Sequence, residues 1–214
     1  MCRVIYAAAI VFIAIFAPQM AAAQETVGAI ATVSGIAKLL RSGKELDVAP
    51  AMPVAIGDQI RTAPNAQVSV TFADGSNAEL GESSSFTIDR YALSGSTRKS
   101  ALLALWGGHL RTIVKVAAAA AHDFEVHTPN AIVAVRGTEF ETAFIDGRPC
   151  PEDRSCMRYT TVGVSSGIVA VSNPSNPAPP IEVDEGYETT VACESPATSP
   201  APLGMEELGA PGYH

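Results

Sequence analysis

The sequence predicts an all-β fold: a single antiparallel-rich roll or sandwich-like domain of about a dozen short strands. Three observations predict it. Apolar and polar residues alternate with period two from Val27 onward. Turn signals recur about every ten residues, the spacing of stacked hairpins. The one run of strong helix formers, Ala117 to Ala121, is too short to be stable alone and reads as a helical turn or loop insert.

The elements follow in order. Val27, Ala29, Ala31 and Val33 alternate with small or polar residues until Ser34-Gly35 breaks the run. Ile36 to Arg41 forms a second strand, and Ser42-Gly43-Lys44 turns the chain. Leu46 and Val48 make a short strand before Pro50 and Pro53, which forbid a central one. Gln59 to Thr62 is short. Ala66 to Phe72 points Val68, Val70 and Phe72 to one face, and Asp74-Gly75 is a strong hairpin signal. Ala78 and Leu80 lie on the apolar side of the partner strand. Gly81-Glu82-Ser83 turns again, and Phe86 and Ile88 share a face of Ser85 to Tyr91. Ser94 to Ser100 reads as a polar loop. Ala101 to Trp106 is apolar throughout, so periodicity cannot separate a buried strand from a short helix. Gly107-Gly108 is expected to end it, with a further strand from His109 to Val116.

The chain is organised around residues Phe124 to Phe140. Phe124 and Val126 alternate with Glu125 and His127, and Pro129 ends that strand. Asn130 holds the turn, Ile132, Val133 and Val135 restart a β-branched run, and Arg136-Gly137 interrupts it as a bulge. Beyond a polar loop from Asp146 to Cys156, Met157 to Val164 and Gly167 to Ser172 read as a hairpin around Ser165-Ser166. A connector with four prolines spans residues 173–180. Ile181 and Val183, then Tyr187, Thr189 and Val191, complete the β region. From Glu194 to His214 the Pro-, Ala- and Gly-rich chain has no period and reads as a disordered tail.

Four blocks carry a family resemblance: Gly57-Asp58-Gln59-Ile60-Arg61-Thr62, Phe72-Ala73-Asp74-Gly75-Ser76, Gly108-His109-Leu110-Arg111, and the stretch from Phe124 to Phe140 with its Thr128-Pro129 and Val135-Arg136-Gly137-Thr138-Glu139-Phe140. In this order they resemble the FecR domain, the periplasmic part of the iron-dicitrate regulator family. The resemblance covers residues 27–191. It implies a strand at Ala101 to Trp106 and a role in signal transduction, because family regulators couple an outer-membrane receptor to a sigma factor. The sequence departs from those regulators in having no cytoplasmic anti-sigma segment and no spanning helix, which leaves a stand-alone binding module.

The N-terminus reads as an export signal, residues 1–23. Arg3 precedes an apolar run from Val4 to Ala17 that is too short to span a bilayer, and Ala21-Ala22-Ala23 offers a cleavage site before Gln24. The expected product is a periplasmic protein with no membrane anchor, its β domain at residues 24–193. With 14 basic against 22 acidic residues and a net charge of −8, nucleic acid is an unsuitable partner.

Cys150, Cys156 and Cys193 follow the signal. An oxidising compartment permits a disulfide, and Cys150 with Cys156 is the candidate pair, bracketing a polar loop. Connectivity is not fixed by sequence; this pairing would leave Cys193 free or bonded to another molecule.

No catalytic constellation, cofactor motif or metal site is expected. Arg136-Gly137-Thr138 could grip a carboxylate through its guanidinium; the architectural alternative is an Arg at a bulge paired with Glu139, Glu141 or a backbone carbonyl. His127 lies near His122 and Asp123, but a strand does not put positions five apart on one face. Ser83-Ser84-Ser85 lacks a nucleophile elbow. Trp106 could stack on a sugar, yet its apolar neighbours place it more readily in the core. The expected function is non-catalytic binding of another envelope component, a protein partner in signalling or alternatively a glycan, with Arg136, Thr138 and His127 as candidate contacts.

Overall fold

The structure is a computed structural model and describes residues 25–116 and 124–204. The export signal and its cleavage site, the Ala117 to Ala121 insert, His122, Asp123 and residues 205–214 lie outside the described residues.

The described chain is all β. Its strands are β1 (Thr26–Ser34), β2 (Ala37–Arg41), β3 (Lys44–Asp47), β4 (Pro53–Ala55), β5 (Gln59–Thr62), β6 (Gln67–Phe72), β7 (Asn77–Leu80), β8 (Ser85–Ser94), β9 (Thr97–Ile113), β10 (Phe124–His127), β11 (Ile132–Val135), β12 (Glu139–Asp146), β13 (Arg158–Ser166), β14 (Ile168–Ser172), β15 (Ile181–Asp184), β16 (Tyr187–Ala192) and β17 (Ala201–Pro202). They form two limbs that share β9. The first limb runs β4-β1-β6-β7-β9-β12-β13-β16-β17. The second runs β3-β2-β5-β8-β9-β10-β11-β14-β15. Among these pairings β9 with β10 is parallel and the others are antiparallel.

Alternation explains why both limbs adhere. Val68, Val70, Leu110, Phe140 and Val162 from the first limb, and Leu39, Ile60, Phe86, Leu103, Phe124 and Val133 from the second, enter one buried cluster.

The strands differ from the sequence reading at four places. Ser94 to Ser100 is not a loop but a tight hairpin: Ser94 pairs with Thr97, Leu93 with Arg98 and Ala92 with Ser100, because the polar side chains of this stretch alternate along two paired strands. The run from Ala101 to Trp106 is strand, but Gly107-Gly108 does not end it. Ser85 pairs with Gly107 in the second limb and Phe144 with Gly108 in the first, so the glycines are the corner where β9 changes limb. Gly108 has φ +80, and a side chain there would fall on Ser84, whose Cα would lie 2.7 Å from the new Cβ. Next, β13 and β14 are not a hairpin. Strand β13 pairs with β12 and β16, and β14 with β11 and β15, so the turn at Ser166-Gly167 is a crossover between limbs. Finally, the first half of the tail is ordered. Ala197 is buried, Thr189 Oγ1 donates to Thr198 O at 2.7 Å, and Leu203 N donates to Gly186 O at 2.8 Å. Hydrogen bonds to its backbone, from side chains as well as main chain, and one buried alanine hold a segment whose composition has no period.

The cysteine pairing is also corrected. Cys156 bonds Cys193, with a Cα–Cα distance of 5.8 Å, and Cys150 is a buried free thiol. The end of β16 brings Cys193 beside the loop, a non-local approach that loop spacing does not encode.

Candidate functional site

The motif residues are mostly tied into the framework. Asp58 is fully buried and takes Arg41 in a fork: Nε donates to Oδ1 at 2.7 Å and Nη2 to Oδ2 at 2.5 Å. The same carboxylate accepts from Ala55 N at 2.8 Å, which closes the turn before β5. Thr62 Oγ1 donates to Gly81 O at 2.6 Å and accepts from Ser84 N at 2.9 Å. Asp74 does more than turn a hairpin. It accepts from Ser76 N and from Tyr91 Oη, at 2.9 and 2.7 Å, and pairs with Arg98. Arg98 is 1% exposed; it also donates to Ser76 Oγ and Lys115 O, each at 2.9 Å, and lies 5.2 Å from the Phe124 ring centroid. Burial and the neighbouring Asp74 carboxylate push the Tyr91 hydroxyl strongly upward, so it stays protonated and donates.

The Thr-Pro-Asn turn is likewise closed from within. Ala131 N donates to Thr128 Oγ1 at 2.9 Å, Thr160 Oγ1 donates to Asn130 Oδ1 at 2.6 Å, and Asn130 Nδ2 reaches Val191 O at 2.8 Å. These side chains are buried and ligate the fold, not a solute.

The three candidate contacts separate. Arg136, Gly137 and Thr138 connect β11 in the second limb to β12 in the first. Thr138 is buried and donates to Ile168 O at 3.1 Å, which ties this crossover to the one at Gly167. Gly137 has φ +67 and packs on Val116. Arg136 projects to solvent, and among the described residues neither Glu139 nor Glu141 pairs with it; Glu139 pairs with Arg111 and Glu141 with His109. His127 lies elsewhere, on the outward face of β10. Its Nε2 is 2.8 Å from Glu125 Oε2. The sequence brought these residues into one group, and the fold sends them to a corner and to a sheet face.

That sheet face is the candidate site. Register aligns Gln59, Thr87, Ala104 and His127 in one row across β5, β8, β9 and β10; Gln59, Thr87 and His127 are partly exposed there, and Ala104 is covered. Trp106 stands one residue pair further along β9. It is 53% exposed, and its Nε1 donates to Thr87 Oγ1 at 2.8 Å, which fixes the ring's orientation. Beside it, Gln59 is held from both ends: Nε2 donates to Ser85 Oγ at 3.1 Å, and Oε1 accepts from Arg61 Nη2 at 2.6 Å. Asp89 borders the row. Partial burial raises its carboxyl above the usual range, and His127 partly offsets this. The result is an oriented aromatic among fixed polar side chains, suited to adhesion.

The expectation of a core Trp106 fails for a simple reason. Ala101, Leu103 and Leu105 face inward, while Leu102, Ala104 and Trp106 face outward. Both faces of this run are apolar, so composition hides which one is wet.

Among the described residues no group of three His, Cys, Asp or Glu side chains could hold a metal ion, and no helix is long and apolar enough to cross a membrane.

The model of the family described as FecR protein matches residues 58–170, more than half of the chain. No curated protein matches. Two crystal structures of a candidate anti-sigma factor from Parabacteroides distasonis are similar. One has a TM-score of 0.51 at 19% identity, covering 67% of this chain and 59% of that one. The other has a TM-score of 0.49 with the same identity and coverage. The chain therefore spans about three fifths of the length of that protein.

Proposed function

We propose, from the premise that the chain belongs to the FecR protein family, that it is a non-catalytic regulatory module that binds another protein of the cell envelope. The observation that carries the reading is Trp106: an aromatic side chain half in solvent, its edge fixed by Thr87, on a sheet face that also carries Arg61, Gln59 and His127. Trp and Arg dominate the few side chains that supply most binding energy at protein interfaces. Family membership supports a role in signalling and a periplasmic location. The fold neighbour named as an anti-sigma factor accords with a regulatory class.

A second reading, a glycan partner, draws on the same ring, whose free face could stack on a sugar.

In-cell crosslinking followed by partner identification tests both. The wild-type chain is expected to return an envelope receptor or membrane sensor, and Trp106→Ala to lose at least about 10-fold of that signal. Recovery on purified sacculi instead, with loss on Trp106→Ala, would move the assignment to glycan. Equal capture by wild type and Trp106→Ala would remove this face from the proposal.

A further inference from the structure

The three cysteines outside the export signal share one small buried cluster. Cys150, Cys156 and Ala192 pack together, with Tyr159 and Cys193 against them. Cys150 N donates to Cys156 O at 2.8 Å across the neck of the loop. That bond draws the two backbones together, and both side chains enter the same buried cluster. Cys193 holds φ +45, a conformation that non-glycine residues enter at a cost, and its N donates to Arg158 O at 3.0 Å. A free thiol thus packs in the same buried cluster as a disulfide.

We propose that Cys150 and the Cys156–Cys193 disulfide form an internal thiol–disulfide exchange pair that fastens and releases the C-terminal segment 194–203. Cys150 loses its proton and its thiolate attacks Cys156 Sγ. The Cys150–Cys156 bond forms, the Cys156–Cys193 bond breaks, and Cys193 leaves as a thiolate that takes up a proton. One disulfide and one thiol exist before and after, so no oxidant or reductant is consumed.

The exchange changes how the chain end is held. With Cys193 bonded, the segment is tied covalently to the loop before β13. With Cys193 released, it is held by hydrogen bonds: Asn173 Nδ2 to Cys193 O and Ser195 O at 2.9 and 2.8 Å, Asn176 Nδ2 to Glu194 O at 2.9 Å, and Leu203 N to Gly186 O at 2.8 Å. The segment covers β16 and Gly163 at one end of the first limb. Release converts a stapled flap into one that can open, independently of the Trp106 face.

The test maps thiols in the folded, oxidised full chain. Protein held folded in mildly alkaline buffer is quenched with acid at intervals, then unfolded in acidic denaturant and alkylated there, digested without reductant and analysed by mass spectrometry. Label is expected on Cys150 at first and increasingly on Cys193, with a Cys150–Cys156 peptide appearing in step. Cys150→Ser should keep Cys193 unlabelled throughout. Cys193→Ser, folded by circular dichroism and oxidised with glutathione disulfide, should give the Cys150–Cys156 bond and lose its free thiol. The proposal is overturned if only Cys150 is ever labelled in the wild type, if Cys193 is labelled equally in Cys150→Ser, or if folded Cys193→Ser keeps two free thiols.

Discussion

The carboxylate of Asp74 and the guanidinium of Arg98 meet inside the core, each shielded from solvent, although one sits in a hairpin turn and the other at the start of the longest strand. This pair joins the β6–β7 turn to β9. Removing one partner leaves a buried charge uncompensated. Asp74→Ala is expected to cost about 3–5 kcal/mol, and Tyr91→Phe, which loses only the hydroxyl donated to Asp74, about 1.5–3 kcal/mol. Urea unfolding of the purified variants checks both. Equal losses for the two would show that the Arg98 partnership adds nothing beyond the hydrogen bond from Tyr91.

Gly108 predicts a backbone effect. Its φ is +80, and an added Cβ would meet Ser84 backbone as well as its side chain. Gly108→Ala should therefore lose at least about 1–2 kcal/mol from the left-handed conformation alone, plus the displacement of Ser84. Gly43→Ala is the control, because nothing lies near its Cβ although its φ is also positive. If both variants unfold at the same urea concentration, Ser84 contact has no role.

Asp89 predicts a pH dependence. Its folded-state pKa is raised above 3.8, chiefly by burial, so the native state holds the proton more tightly than the unfolded chain. Stability from this group falls as pH rises from 3.8 through the raised value. Asp89→Asn should remove that loss, so that over this range its melting temperature rises more steeply with pH, or falls less, than that of the wild type. An Asp89→Asn profile that rises more slowly than the wild type's would carry the opposite sign and refute the assignment.

Trp106 is the one tryptophan of the chain, so intrinsic tryptophan fluorescence reports on the proposed binding face alone. Its half-exposed ring should emit to the red in the free protein and shift to the blue when a partner covers it. Trp106→Phe should change stability by no more than about 0.5 kcal/mol, as expected for surface substitutions. Blue emission from the free protein would mean the ring is covered already.

The two cysteine pairings should differ in strength. The Cys156–Cys193 bond spans 37 residues. Chain-entropy arguments make a bridge of that span about 1.6 kcal/mol more stabilising than one between Cys150 and Cys156. Cys150→Ser, which keeps the long bridge, should melt above oxidised Cys193→Ser, which keeps the short one. The reverse order would mean native-state strain outweighs loop entropy.

Local features of this fold were legible in the sequence, and non-local ones were not. Alternation in Gln67 to Phe72 and Phe124 to His127 named the buried faces because polar and apolar residues take turns there. Asp74-Gly75 marked its hairpin because the turn chemistry is contained in a few residues. Ser166-Gly167 looked the same, yet it leads into the other limb; a turn signal says that the chain bends, not which neighbour it meets next. Arg136 stands out in the sequence by its charge beside a glycine and is an exposed corner residue, whereas Arg98, in a stretch that reads as a polar loop, is the buried one. Its burial depends on Asp74, Ser76 and Phe124 converging from separate parts of the chain, which no short motif records. Cys193 found Cys156 for the same reason.

Strand β9 has a consequence for how the molecule could be divided. Since one continuous segment is hydrogen-bonded into both halves, neither half retains a complete set of neighbours when the other melts. Denaturation should register as one event by every probe, and a break introduced at Gly107 should leave two fragments that regain structure only when mixed.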